Sequence, residues 1–344
     1  MNERFILSVF NKMTEHRPAL QKYLISDDEE DEIDHRILGD LLIKNFPWPI
    51  GVELRRLFSG SLQKLDRGRL DQIFKTIERT MQFTSYMLLS QLWEEKREKG
   101  FELTKGFYQE FPRRITVTTL GNFAWIIRNA SELLNKDGRS HFITEMNEAF
   151  GPKFFALLDF WAPERNDIGH YQINLQQEEI EKRCVEYLDK LGLILQEMAF
   201  LCKYKLVTMR QIMVNKHKHR EPQFNHHVDL LNSSDSDFKT QEMQFASFAD
   251  SNSVLLMRDF KVPKEYINLS PFVIDTRPEI LDQKEKFGIK KDVFLFSKFQ
   301  NEKLFYVGTE VTEKVDLGSL SFYPELLLQF KEMLEDLSAT SVDA

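Results

Sequence analysis

The feature that most constrains this chain is an apolar stripe stepping by three and four residues through Ile180, Cys184, Tyr187, Leu191, Leu195, Met198 and Cys202. Helical periodicity puts residues at that spacing on one face, so the stripe predicts a long amphipathic helix against a core. Three earlier stripes repeat the pattern. The first runs Leu70, Ile73, Ile77, Met81, Leu88, Leu92, with one weak turn near Ser85. The second is Leu120, Phe123, Ile127, Ala130, Leu134, opened by Thr118-Thr119 as N-caps. The third is Ile143, Met146, Phe150, Phe154, Leu157, Trp161, interrupted at Gly151-Pro152. Four stripes joined by short connections describe a helical bundle over residues 67–210.

Residues 1–66 read as an N-terminal helical arm. Its acidic run at 27–32 repels itself and predicts a solvated loop. Phe46-Pro47-Trp48-Pro49 breaks any helix there. Beyond residue 204 the period changes. Val207 to Val214 marks a strand, and short strand pieces flank Ser270-Pro271. Val293-Phe294-Leu295-Phe296 and Leu304-Phe305-Tyr306-Val307 flank residues 300–303 as a β-hairpin. Asn232 to Asp237 reads as a loop, and Tyr323 to Leu337 as a closing helix. The expected fold is therefore mainly α, with a smaller β-rich (α+β) domain over 215–344.

Composition narrows the function classes. At 344 residues the chain is long enough for about two domains. Its net charge of −8 supplies no global basic field, so any nucleic-acid contact must be a local patch. Two cysteines, Cys184 and Cys202, cannot make a disulfide scaffold or a Cys-based zinc module. They lie on the fourth stripe and read as buried small hydrophobes. No apolar run approaches a membrane span, and the N-terminus has no secretory pattern, so a reduced, cytoplasmic setting is expected. The chain contains no G-x-x-x-x-G-K loop, G-x-S-x-G elbow or H-E-x-x-H pair.

The segment that could carry chemistry is Trp161-Ala162-Pro163-Glu164-Arg165-Asn166-Asp167-Ile168-Gly169-His170. On a straight helix Arg165 and His170 would point about 140° apart. Convergence within one chain requires a helix start, with Arg165 partly outside the regular turn. Pro163 before the Arg and Gly169 inside the motif fit that placement, between the third and fourth stripes. In the competing structural reading, Arg165 pairs with Glu164 or Asp167 and His170 caps a backbone carbonyl.

Arg-Asn-x-x-x-His before the last long helix of a four-helix bundle resembles the HEPN family, over about residues 68–206. The resemblance implies a metal-independent endoribonuclease working as a homodimer, in bacterial antiviral defence or a toxin–antitoxin system. It implies catalytic roles for Arg165 and His170, with Asn166 as the polar residue after the Arg. RNA carries its own nucleophile, so cleavage needs only a proton acceptor, a proton donor and a cation for the phosphate. A histidine near its ordinary pKa suits proton transfer, and a helix start would favour its neutral form. An arginine can clamp two phosphate oxygens. Two copies across a twofold axis supply two of each. The alternative is a non-catalytic HEPN-like regulatory or dimerisation module that binds nucleotide, RNA or a protein partner. Either version could be paired with an inhibitor or sensor protein.

Lys203, Lys205, Arg210, Lys216, Lys218 and Arg220, with His217 and His219 among them, form the main basic stretch of an acidic chain. It reads as an RNA-backbone patch or as a solvated interdomain linker. Arg113-Arg114 form a second basic spot, expected in a loop with RNA contact. His217, His219, His226 and His227 match no zinc spacing, so neither a metal nor any other cofactor is expected. Phe123, Trp125, Phe154, Phe155 and Trp161 read as core aromatics.

Overall fold

The computed structural model describes residues 2–24, 34–170, 176–231, 240–245, 248–250, 253–258, 265–277, 291–311, 313–320 and 323–338, without the side chains of 168–170. The acidic run at 27–32 and the expected loop at 232–237 lie outside these residues. The fold is mainly α, with two small sheets in the C-terminal part. Among the described residues, no helix is long and apolar enough to cross a membrane.

The chain divides into two compact units that are not contiguous in sequence. The first comprises residues 1–80, 148–205 and 231–238; the second takes 81–147, 206–230 and 239–344. The expected boundaries at 66/67 and near 210 differ from this division. Its first cut falls inside one helix, α4 (Arg67–Lys99), and the second stripe joins the sheets instead of the third and fourth stripes. A continuous helical period carries no mark of which core each turn serves.

The first unit is all helical apart from the start of one strand. It holds α1 (Asn2–His16), α2 (His35–Asn45), α3 (Trp48–Leu57), the first turns of α4, α8 (Pro152–His170) and α9 (Gln177–Glu197). Phe5, Val9, Phe10 and Met13 line the buried side of α1, which packs on α2 and α9. The fourth stripe is α9, with Cys184, Tyr187, Leu188, Leu191 and Leu195 buried. It runs on into a 3-10 turn, Ala199–Lys203, that buries Cys202. Pro47 separates α2 from α3 as the sequence predicts. Gly51 lies so close to α2 that a Cβ there would sit 2.5 Å from the Ile43 carbonyl oxygen.

The second unit holds the rest of α4, α5 (Lys105–Thr116), α6 (Leu120–Leu134), α7 (Met146–Ala149, assigned through residue 147), both sheets and α10 (Leu326–Ser338). Thr119 caps α6 by accepting the Asn122 backbone N–H at 3.2 Å. One sheet has the order β3-β2-β1-β4-β5, and the other β6-β7-β8-β9. Strand β1 (Lys205–Asn215) pairs antiparallel with β2 (Gln223–Leu230), and β2 with β3 (Thr240–Phe245). Next to β1 comes β4 (Val254–Met257), which pairs antiparallel with β5 (Tyr266–Asn268). In the second sheet β6 (Val273–Asp275), β7 (Val293–Gln300), β8 (Lys303–Gly308) and β9 (Lys314–Asp316) pair antiparallel in order. The β7–β8 turn is Asn301-Glu302 with φ of 51° and 59°, the two left-handed residues of a tight hairpin.

One expectation needs correction within α4. The sequence predicts a single apolar face, yet every residue from Met81 to Leu92 is buried. The Thr, Ser and Gln positions between the apolar ones do not face water. The Ser85 hydroxyl donates back to Met81 O at 2.9 Å, and Gln82 and Tyr86 both donate to Phe296 O, at 2.7 and 2.5 Å.

Gly51→Ala should lower unfolding stability by about 1–3 kcal/mol, because the carbonyl it meets belongs to backbone that must shift. Denaturant titration would measure it, and a variant as stable as the parent would show that α2 and α3 are not this close.

Candidate functional site

The Arg165–His170 segment does not open a helix: it forms the last turns of α8. Pro163 sits inside that helix, so it does not mark the start predicted from the sequence. Two consequences follow from the placement. Positions five apart on a continuous helix are offset by about 140° around its axis, so 165 and 170 do not share one face of α8. The segment is also not at a helix start, so α8 does not supply the partial positive charge expected there. The side chain of His170 lies outside the described residues. The segment still stands at the junction before α9.

Under the motif lies an aromatic cluster within the first unit. Phe74 of α4 meets Trp161 and Tyr187 edge to face, with ring centroids 5.7 and 5.5 Å apart. Trp161 and Phe160 pack on Tyr187 in the same manner, at 5.7 and 5.5 Å. Such edge-on contacts contribute roughly 0.5–1.5 kcal/mol each beyond burial, and they hold the end of α8 against α9. The Tyr187 hydroxyl donates to the Glu164 carboxylate, and burial with that carboxylate pushes its phenol pKa up. Arg165 is half-buried, with its guanidinium carbon 5.6 Å from the Phe74 ring centre. Among the described residues it makes no ion pair, and Asn166 beside it is exposed. The pairing of Arg165 with Glu164 considered from sequence is not formed, because Glu164 is engaged by Tyr187. The sequence did not single out Phe74 or the Tyr187–Glu164 pair. Tyr187 sat on the fourth stripe as one more core aromatic, and its hydroxyl was the signal passed over.

The candidate RNA-binding residues are dispersed. Lys203 and Lys205 belong to the first unit, the others to the second. Lys205 is half-buried, and burial, with Arg17 nearby, brings its ammonium down to about 8. Arg210 stands at a bulge in β1 and is paired with Asp229 at 3.0 Å. Lys216, Lys218 and Arg220 stay together, all exposed at the tip of the β1–β2 hairpin, with His217 and His219 between them. The tip is therefore part of a sheet arm and not an interdomain linker. Lys216 donates to the Arg220 carbonyl. The side of this arm is apolar as well: Met213 and Val214 are exposed, and Phe248 packs edge to face on Phe224.

Arg113 and Arg114 require a second correction. They lie in the last turns of α5, which runs through Pro112, and not in a loop. Arg113 donates to Glu110 at 2.6 Å, and Arg114 to Asn122 Oδ1 at 3.1 Å. These partners already occupy the cations.

His226 is a core histidine: its Nε2 accepts the Ala249 backbone N–H at 3.2 Å while Nδ1 sits 3.1 Å from Phe224 O. That arrangement selects the tautomer protonated on Nδ1, and burial holds its pKa down against the opposing hydrogen bond to Phe224 O. Among the described residues, no group of three or more His, Cys, Asp or Glu is placed to hold a metal ion. Cys184 is buried, its thiol pushed up to about 11 chiefly by desolvation. No protein-family model, curated protein or solved structure matches the chain.

Lys205→Met should stabilise the protein at pH 7 by about 2–4 °C in midpoint temperature, since the charged ammonium is disfavoured in the fold. A lysine whose folded pKa is lowered gains stability as pH rises from about 8 toward its unfolded value. The advantage of the variant should therefore shrink by pH 10. A thermal melt at both pH values reads the effect, and a destabilised variant at pH 7 would contradict the burial argument.

Proposed function

We propose that this chain is a metal-independent endoribonuclease of HEPN type, active as a homodimer and cytoplasmic, in bacterial antiviral defence or a toxin–antitoxin system. The observation that carries the reading is Arg165: a half-buried guanidinium at the α8–α9 junction, without an ion pair among the described residues, next to the exposed amide of Asn166. A cation held over an aromatic ring and short of a carboxylate favours an anionic ligand such as a phosphodiester. Lys216, Lys218 and Arg220 at the hairpin tip offer further contacts for an RNA backbone.

In the cleavage step, a base removes the proton of the ribose 2′-hydroxyl as its oxygen attacks phosphorus. The bond to the 5′-oxygen breaks, and an acid returns a proton to that leaving oxygen. The products are a 2′,3′-cyclic phosphate and a 5′-hydroxyl. His170 serves in proton transfer, Arg165 holds the phosphate oxygens, and Asn166 orients one of them. Because the two residues diverge on one continuous helix, each working site combines Arg165 of one protomer with His170 of its partner. The same divergence is the observation that favours the second reading, a non-catalytic module that binds nucleotide, RNA or a protein partner through this junction.

Purified protein should cut RNA in EDTA, with His170→Ala and Arg165→Ala each lowering the rate by at least about 10²-fold. Mixing the two inactive variants and allowing subunits to exchange should restore cleavage, because one composite site of the mixed dimer keeps both residues. A parent protein inert toward RNA would decide for the binding module. Active parent with no rescue on mixing would place both residues in one protomer's site.

A further inference from the structure

The second compact unit contains a cavity of about 720 Å³ that the nuclease reading does not use. That volume falls within the range of small-molecule sites. Its wall is short of positive charge. Glu94 of α4, Asp250, Glu325 and Glu332 of α10 all contribute carboxyl groups. Among the described residues the one cation of the lining is Arg97, and its guanidinium is already bound to Asp336 at 2.6 Å and Glu332 at 2.8 Å.

The inner wall is also short of hydrogen bonds. Ser90 of α4 lines the cavity, is 1% exposed, and has an Oγ without a hydrogen-bond partner among the described residues. A buried hydroxyl left unpaired costs free energy that a ligand can recover. Asn268 of β5 sits beside it in the lining, its amide donating to Asp250 at 2.7 Å and so aligning that carboxylate. Trp93, Ile274 and Leu326 supply apolar surface to the same space.

We propose that this cavity binds a small organic cation, an aliphatic amine whose ammonium is held by Glu94 and Asp250 and whose hydrocarbon stem meets Trp93, Ile274 and Leu326. An anion would meet the carboxyl groups of Glu94, Asp250 and Glu325, while Glu332 is held by Arg97. A metal ion would need a ligand set that the described residues do not bring together. An ammonium needs only two or three acceptors, and Ser90 Oγ supplies another.

Protonation of Glu94 would be linked to occupancy. Burial, with Glu98, Asp250 and Glu95 adding like charge and the Asn268 backbone N–H opposing them, raises its carboxyl to about 7. Tyr266 of β5 feels Asp250 and Glu94 too, and its phenol is pushed up, mainly by desolvation. The empty site therefore keeps Glu94 about half protonated at neutral pH, and a bound ammonium ionises it. Binding should release about half a proton at pH 7, and affinity should rise about tenfold between pH 6 and pH 8.

Titration calorimetry on the full chain, with spermidine as one probe and a lysine tripeptide as the other, in buffers of different ionisation enthalpy, tests the site. The expected result is saturable binding below about 1 mM with the proton release just given. Tighter binding of spermidine would identify a free polyamine, and tighter binding of the peptide a lysine side chain. Glu94→Gln should weaken binding at least tenfold and remove the proton release; Asp250→Asn, at an exposed position, should weaken it as well and serves if the first variant does not fold. Ser90→Val should weaken it severalfold with the charges intact. No saturation by either probe up to about 10 mM, or equal affinity in parent and carboxyl variants, would overturn the proposal. RNA cleavage is read separately, so failure here leaves the nuclease reading standing, and the reverse.

Discussion

Polar side chains buried along a helix must find partners, and that condition governs α4, whose residues 81–92 are buried on every side. In the first unit, Thr76 Oγ1 donates to Gln72 O and Thr80 Oγ1 to Thr76 O, each at 2.8 Å, so hydroxyls hide within the helix's own carbonyl ladder. In the second unit the solution is to reach outward. Gln82 and Tyr86 converge on the Phe296 carbonyl, and a bulge in β7 lies between Phe296 and Lys298. Gln91 donates to Ser140 O at 2.9 Å and accepts the Phe142 N–H at 2.8 Å. Remove one of these partners and the group left behind bears the full cost of desolvation, about 1–3 kcal/mol. Ser90 departs from the pattern: it is buried in the same helix, lines a cavity, and has no partner among the described residues.

Periodicity made the long helices legible, because burial against a core repeats at the helical period whatever the core is. It could not say which core. Leu70 to Ile77 and Met81 to Leu92 form one unbroken stripe that serves two compact units. Strand and turn chemistry was legible where a local rule decides the outcome, as at Asn301-Glu302, where a tight hairpin needs two left-handed residues. It was not legible along α4, where Thr and Ser look like a solvent face by composition and are buried by hydrogen bonding.

Proline misled twice, for one physical reason. Arg113-Arg114, which follow Phe111-Pro112, read from the sequence as a loop, and Pro163 as a helix start. Both lie inside helices. An interior proline costs about 3 kcal/mol through its lost N–H and ring clash. In α5 the buried stripe Phe107, Phe111, Ile115 opposes that cost, and in α8 the fully buried Trp161 with its edge-on contacts to Phe74 and Tyr187 does so. Fully burying one such side chain contributes roughly 1.5–3 kcal/mol, so two or three outweigh a proline. An aromatic within two residues before each proline was the available signal. Phe111 precedes Pro112 directly, and Trp161 precedes Pro163 by two residues.

The misplaced proline changes the chemistry, not only the secondary structure. With α8 continuous through Pro163, Glu164 is carried to Tyr187 and its charge is engaged there, while Arg165 is turned onto Phe74. The same helix leaves the acidic neighbour occupied and the basic one uncompensated. A guanidinium beside a ring retains its charge, since an aromatic face attracts the cation without neutralising it. In the proposed reading that charge meets a phosphate, which is either cleaved or merely held. Discrimination between the two outcomes therefore rests on the imidazole five residues on. Positions 165 and 170 lie about 140° apart around the axis of α8, and for that reason the proposed site draws on a second copy of the chain.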